Sequence, residues 1–170
     1  MKLPPGTRTI LIDGRSGSGK TTFAQRVAGQ LGWQLVHMDD LYPGWNGLAA
    51  GSRLAASDVL RTENPGFFRW DWVAGSRGDW APVDVDEPIV LEGVGALTTD
   101  TLRAANLRGA VLSIVLRCPA SIRRQRALAR DPEFAQWWEM WARQEQAHFA
   151  QLPTPDVVLD CRSIADFEVC

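Results

Sequence analysis

Near the N-terminus, the segment Gly14-Arg15-Ser16-Gly17-Ser18-Gly19-Lys20-Thr21 constrains the fold of this chain more than any other feature. It satisfies the pattern G-x-x-x-x-G-K-[ST]. The short apolar run Thr9-Ile10-Leu11-Ile12-Asp13 precedes it and reads as a buried parallel strand. After it, Phe23, Ala24, Val27, Ala28 and Leu31 fall on one face of a helix that starts at Lys20, and Gly32 stands where a glycine ends such a helix. A strand, a glycine-rich turn and a helix N-terminus together form a cradle for anionic phosphates. The glycines let backbone N–H groups point inward, and the helix dipole favours negative charge at the same place.

A chance match to this pattern in a chain of this length has a probability of about 1% from average residue usage. A glycine turn that only capped a helix would leave the lysine and threonine unexplained. The expected ligand is therefore ATP or GTP, held by Gly14, Ser16, Gly17, Ser18, Gly19, Lys20, Thr21 and Thr22. Lys20 is expected to reach the β- and γ-phosphates, and the Thr21 hydroxyl to ligate Mg²⁺.

The rest of the chain alternates strand-like and helix-like segments. Leu35–Met38, Pro88–Gly93, Val111–Leu116 and Asp156–Asp160 read as further strands. Helices are expected within 48–60, over 102–107, from Pro119 to about Arg130, and from about Glu133 to Gln151. Asn64-Pro65-Gly66 marks a turn, and the stretch 43–85 around it resists assignment. Five short strands separated by helices imply an α/β fold with a parallel sheet covered on both faces, in a single domain of 170 residues.

A net charge of −2 supplies no overall field to recruit nucleic acid or an anionic membrane, and no apolar run reaches the roughly 18 residues of a membrane helix. Cys118, Cys161 and Cys170 form no close pair in sequence and are expected as free thiols of a reducing interior. With no apolar stretch of signal-peptide length at the N-terminus, a cytoplasmic protein is expected.

A glycine loop specifies a nucleotide, and the reaction is read from carboxylates and arginines elsewhere. Asp39 and Asp40 end the second strand, at the edge where open α/β sheets bind ligands. Transfer of a phosphoryl group to an alcohol needs a carboxylate to orient the hydroxyl and take its proton, and either aspartate suits. Glu92 ends the third strand and is a candidate to hold Mg²⁺, directly or through water. Arg123, Arg124, Arg126 and Arg130 crowd one helix. Arg126 and Arg130 lie four apart on one face and are candidates to clamp a transferring phosphoryl group, whereas Arg123 and Arg124 are expected to be solvated. Arg69-Trp70-Asp71-Trp72 is either an acceptor-stacking segment, with Arg69 and Asp71 orienting the acceptor, or a loop pinned by its aromatics. Trp137, Trp138 and Trp141 follow helical spacing and are expected to pack, and His37 is expected to be structural.

Three blocks, Ile12 to Thr22, Asp39-Asp40-Leu41-Tyr42 and Ile89-Val90-Leu91-Glu92-Gly93, resemble the uridine kinase group of small P-loop kinases. The resemblance implies a nucleoside monophosphate kinase-like fold with strand order 2-3-1-4-5 and a mobile lid over about 123–135. It further implies ATP with Mg²⁺, Asp39 as general base, Tyr42 as a substrate-side aromatic and Glu92 as the carboxylate of the metal site. A nucleoside or nucleoside-like acceptor follows from the same resemblance. The chain is shorter than uridine kinases, and residues 64–72 match their nucleoside segment only loosely. A kinase for another small alcohol, such as a sugar acid or coenzyme precursor, and a nucleotide-binding switch remain as alternatives. No guanine-type N-K-x-D appears to favour the switch.

Overall fold

The computed structural model describes residues 2–164, which leaves Cys170 outside the described residues. A five-stranded parallel sheet forms the centre. It comprises β1 (Thr7–Gly14), β2 (Gln34–His37), β5 (Ile89–Glu92), β6 (Ala110–Arg117) and β7 (Val157–Asp160), in the order β2-β5-β1-β6-β7. Counted along the chain without the hairpin described below, this is the order 2-3-1-4-5. Helices α1 (Lys20–Leu31), α2 (Leu48–Leu54), α3 (Thr99–Asn106), α4 (Ala120–Arg130) and α5 (Trp138–Ala150) surround it.

Alternation along β1 shows why both faces must be covered. Ile10 and Ile12 point to one side, where they pack with Phe23, Ala24 and Val27 of α1. Leu11 points to the other, into a core with Met38, Leu91, Leu97 and Trp141. All three β1 residues are fully buried, each worth about 1.5–3 kcal/mol relative to exposure. The helix of 48–60 is an α-helix that widens into a π-helical turn over Ala55–Val59. The expected helix from Glu133 is in two parts: a 3₁₀ turn over Pro132–Gln136, started by Asp131 Oδ1 accepting from Glu133 N, and then α5.

The stretch that resisted assignment contains a hairpin of β3 (Gly66–Asp71) and β4 (Ser76–Pro82), with Phe68 opposite Trp80 and Trp70 opposite Arg77. Phe67 and Ala81 enter the core while Phe68 and Trp80 stay outside and meet edge to face. Asp71 Oδ1 accepts from the amides of Val73 and Ala74 and so closes the turn.

Cys118 and Cys161 are joined in a disulfide with their Cα atoms 5.1 Å apart, which corrects the expectation of free thiols. The ends of the adjacent parallel strands β6 and β7 bring them together across 43 residues of sequence, a proximity that spacing does not reveal. Among the described residues, no helix is long and apolar enough to cross a membrane.

Candidate active site

The loop from Gly14 to Gly19 joins β1 to α1 at the carboxyl edge of the sheet. Gly17 shows why glycine is required there. Its φ is +79°, and a Cβ would lie 2.1 Å from the Arg123 carbonyl oxygen, so the loop packs directly on the first turns of α4. Gly17, Gly19, Lys20, Thr21 and Thr22 line a cavity of about 180 Å³ together with Arg126 and Arg130 of α4. The two arginines, four apart on α4, thus border the same cavity as the glycine loop. Ser16 and Ser18 are buried, and Ser18 Oγ has no hydrogen-bond partner.

A second cavity of about 400 Å³ adjoins the first, with Arg130 lining both. Ser16, Asp39 and Tyr42 form part of it, and Trp45, Trp72, Phe134, Trp137 and Trp141 supply aromatic surface. Trp45 is the hub of these rings. Its centroid lies 5.3 Å from Phe134 and 5.5 Å from Trp137 in near-parallel stacks, and 4.9 Å from Trp72 at a tilt.

The two aspartates after β2 have different surroundings. Asp40 is drawn to Arg69 of the hairpin, 3.5 Å away at the surface. Asp39 opens onto the cleft, with the charges of Lys20 and Arg130 close enough to act on it. Its carboxyl lies above the usual 3.8, first because the surrounding protein desolvates it; Lys20 opposes this, Glu92 adds to it and Arg130 opposes it. Cleft water around the open face limits the size of the effect and leaves its direction. The Trp72 indole N–H donates to the Asp39 carbonyl at 2.9 Å, so the hairpin holds this strand end in place.

Glu92 is buried. Its Oε1 lies 2.6 Å from His37 Nδ1, while its Oε2 is buried without a hydrogen-bond partner. An orphaned carboxylate oxygen at this strand end fits a site for a hard cation or its bound water. Among the described residues no cluster of three or more His, Cys, Asp or Glu could hold a metal. Thr21 and Glu92 are the hydroxyl and the carboxylate that could hold such a cation.

Several residues take places that sequence did not assign. Tyr42 borders the cleft, but its hydroxyl is committed to the Val94 carbonyl at 2.7 Å, and burial pushes its pKa well above 10. Asp71 is engaged in the hairpin turn and Arg69 in the pair with Asp40, so neither side chain stands free toward an acceptor. Arg123, expected to be solvated beside the exposed Arg124, is buried against Glu145 and the Ser16 carbonyl. Asp13, fully buried, accepts from the amides of Gly14, Gly95 and Leu97 and pairs with His148. A buried carboxylate closing a strand looks in sequence like an ordinary strand end. Glu145 and His148 lie in a helix whose aromatic residues dominate its pattern, so they gave no signal.

No family model matches the chain. It is 32% identical over 130 residues to shikimate kinase 2 of Yersinia pestis (strain Pestoides F), a stretch covering 76% of this chain and 68% of that protein. Its fold matches a gluconokinase from Sinorhizobium meliloti 1021, with a TM-score of 0.52 at 20% identity over 95% of this chain and 86% of that one. It also matches a uridine kinase candidate from Bacillus stearothermophilus, with a TM-score of 0.56 at 17% identity over 93% and 91%. The structural matches extend the P-loop kinase fold over nearly the whole chain, while the sequence match is to shikimate kinases rather than to the uridine kinase group. The chain thus belongs to the shikimate kinase family, and it is a P-loop small-molecule kinase that moves a phosphoryl group from ATP to a hydroxyl of a small acceptor.

Proposed function

We propose that Asp39 is the general base of this kinase and that the aromatic cleft beside it holds the acceptor. The observation that carries this reading is the junction of the two cavities. Arg130 lines both, and Asp39 stands in the acceptor cavity within the influence of Lys20 and Arg130. In the reaction an acceptor hydroxyl oxygen forms a bond to the γ-phosphorus, the bond to the β–γ bridging oxygen breaks, ADP leaves, and the hydroxyl proton passes to an Asp39 carboxylate oxygen. Lys20 and the loop amides hold the β- and γ-phosphates, and Arg126 and Arg130 clamp the charge spread over the equatorial oxygens. Thr21 and Glu92 would hold Mg²⁺, which when bound neutralises charge on the phosphates. Residues 123–135 act as the lid, and the site of action is the cytoplasm, where ATP is supplied.

The acceptor cavity favours an alcohol with a flat, uncharged face, such as a nucleoside. Among the described residues its charged lining is Asp39, Asp131, Glu133 and Arg130, and Arg130 also lines the cavity of the glycine loop, so none of these supplies a separate cation for an acceptor carboxylate. The 32% identity to shikimate kinase 2 supports a second reading, in which shikimate is the acceptor and Arg69 leaves Asp40 to meet its carboxylate. Incubation with Mg-ATP and a panel of uridine, cytidine, shikimate and gluconate, with ADP as readout, separates them. Selective turnover of a nucleoside supports the first reading and selective turnover of shikimate the second. ADP release indifferent to every acceptor contradicts both.

A further inference from the structure

Glu145 sits in an unexpected place for a carboxylate. It is buried beside the phosphate-cradling loop, where its negative charge opposes the binding of an anion. Its contacts account for it. Ser16 N–H donates to Glu145 Oε1 at 2.7 Å, and Arg123 Nη1 donates to the Ser16 carbonyl at 3.3 Å. Glu145 Oε2 in turn lies 3.8 Å from Arg123 Nη1 and 3.9 Å from Arg15 Nη1. The peptide groups on both sides of Ser16 are thus gripped by one buried ion pair, immediately before Gly17 packs on the Arg123 backbone. The two arginines also offset the carboxylate, so the loop keeps its affinity for phosphate.

The helix that carries Glu145 links this grip to the rest of the site. Trp141, Glu145 and His148 follow the spacing i, i+4, i+7 and share one face of α5. Trp141 lines the acceptor cavity, Glu145 holds Ser16, and His148 Nε2 lies 2.9 Å from Asp13 Oδ2 at the base of the loop. Arg15 of the loop lies over the Phe149 ring of the same helix, 5.0 Å from its centroid. The N-terminus of α5 follows directly from the 3₁₀ turn that carries Phe134.

We propose that Glu145 is a positioning residue of the kinase: it holds the Ser16 amide, and with it the start of the phosphate loop, in the geometry that ATP requires, from the helix that follows residues 123–135. This inference rests on the part of the reading above in which the glycine loop holds ATP. Its test compares Glu145→Gln with Glu145→Met. The two side chains have similar volume and both remove the charge, so they share every loss due to charge and differ in an acceptor for Ser16 N–H. The readouts are the melting temperature, the affinity for a non-hydrolysable ATP analogue, and KM for each substrate. A buried donor left without its acceptor is expected to raise the ATP KM and the analogue Kd of the methionine variant about tenfold over the glutamine variant, with the acceptor KM the same in both. Equal analogue affinities in the two variants, with only the melting temperatures differing, would overturn the proposal and leave Glu145 a stabilising residue. Because analogue binding needs no turnover, a wild-type protein that binds the analogue but phosphorylates no acceptor would overturn the kinase reading without touching this one. A wild-type protein that binds no analogue would overturn both.

Discussion

His37 and Glu92 are register partners on the neighbouring strands β2 and β5, and their side chains meet at 2.6 Å between Nδ1 and Oε1. The pair engages one oxygen of the Glu92 carboxylate and leaves the other buried without a hydrogen-bond partner. The hydrogen bond to Glu92 raises the His37 pKa above 6.5, against an opposing effect of burial. A histidine whose folded pKa is raised contributes stability that is full below its unfolded value and is lost as pH rises through the folded value. In metal-free protein the unfolding free energy from urea titration is expected to fall as pH rises from 6.5 through that raised value, by less than about 1 kcal/mol because the ring is partly solvated. His37→Gln is expected to flatten that slope, and an unchanged slope in the variant would contradict the assignment.

With Asp39 as the proposed base, its ionisation sets the acid limb of the reaction. The base must be ionised, so kcat/KM is expected to fall with acid through a value above 3.8. Arg130 pulls that value down. Arg130→Ala should therefore move the limb to higher pH, besides lowering the rate. A limb that stays in place in the variant argues against any influence of Arg130 on the base.

Lys20 is buried among the loop residues and faces the phosphate cavity. Lys20→Met removes the cation proposed to meet the β- and γ-phosphates and is expected to lower kcat about 10²–10³-fold. Thr21→Ala is expected to raise the Mg²⁺ concentration needed for half-maximal rate. Steady-state rates at varied Mg²⁺ check both.

Trp45 joins the β2–α2 connection to the 3₁₀ turn before α5 and to the hairpin through its ring contacts with Phe134, Trp137 and Trp72. Trp45→Ala is expected to cost about 2 kcal/mol of stability, roughly half the cost for a fully buried tryptophan. The acceptor KM should rise more than the ATP KM, because the ring lines the acceptor cavity and not the phosphate cavity. Equal rises in both would point to a general loss of structure.

Much of the donor side was legible in sequence because its chemistry is local. The glycine loop, Lys20 and Thr21 lie within one turn, and the apolar runs around Ile10, Leu91 and Ile114 placed the strands that carry the site. The period of four that joins Arg126 and Arg130 also held, since both face the loop. What escaped depends on contacts between distant segments. The hairpin was hidden because its alternation of Phe67 inward and Phe68 outward is masked by aromatic residues on both faces. Arg123 looked like one more surface arginine until Glu145, 22 residues on, came to meet it. The different surroundings of Asp39 and Asp40 likewise depend on Arg69 and Trp72 from the hairpin, which engage one side chain and one backbone carbonyl.

The most direct test is the rate of ADP formation by wild-type and Asp39→Asn proteins, with Mg-ATP, in the presence and absence of the best acceptor of the panel. The expected result is a wild-type rate that rises with acceptor and a stoichiometric phosphorylated product. In Asp39→Asn that increment should fall about 10²–10⁴-fold while ATP affinity changes little. An acceptor-dependent rate that survives the substitution would contradict the role of Asp39 at the centre of this site.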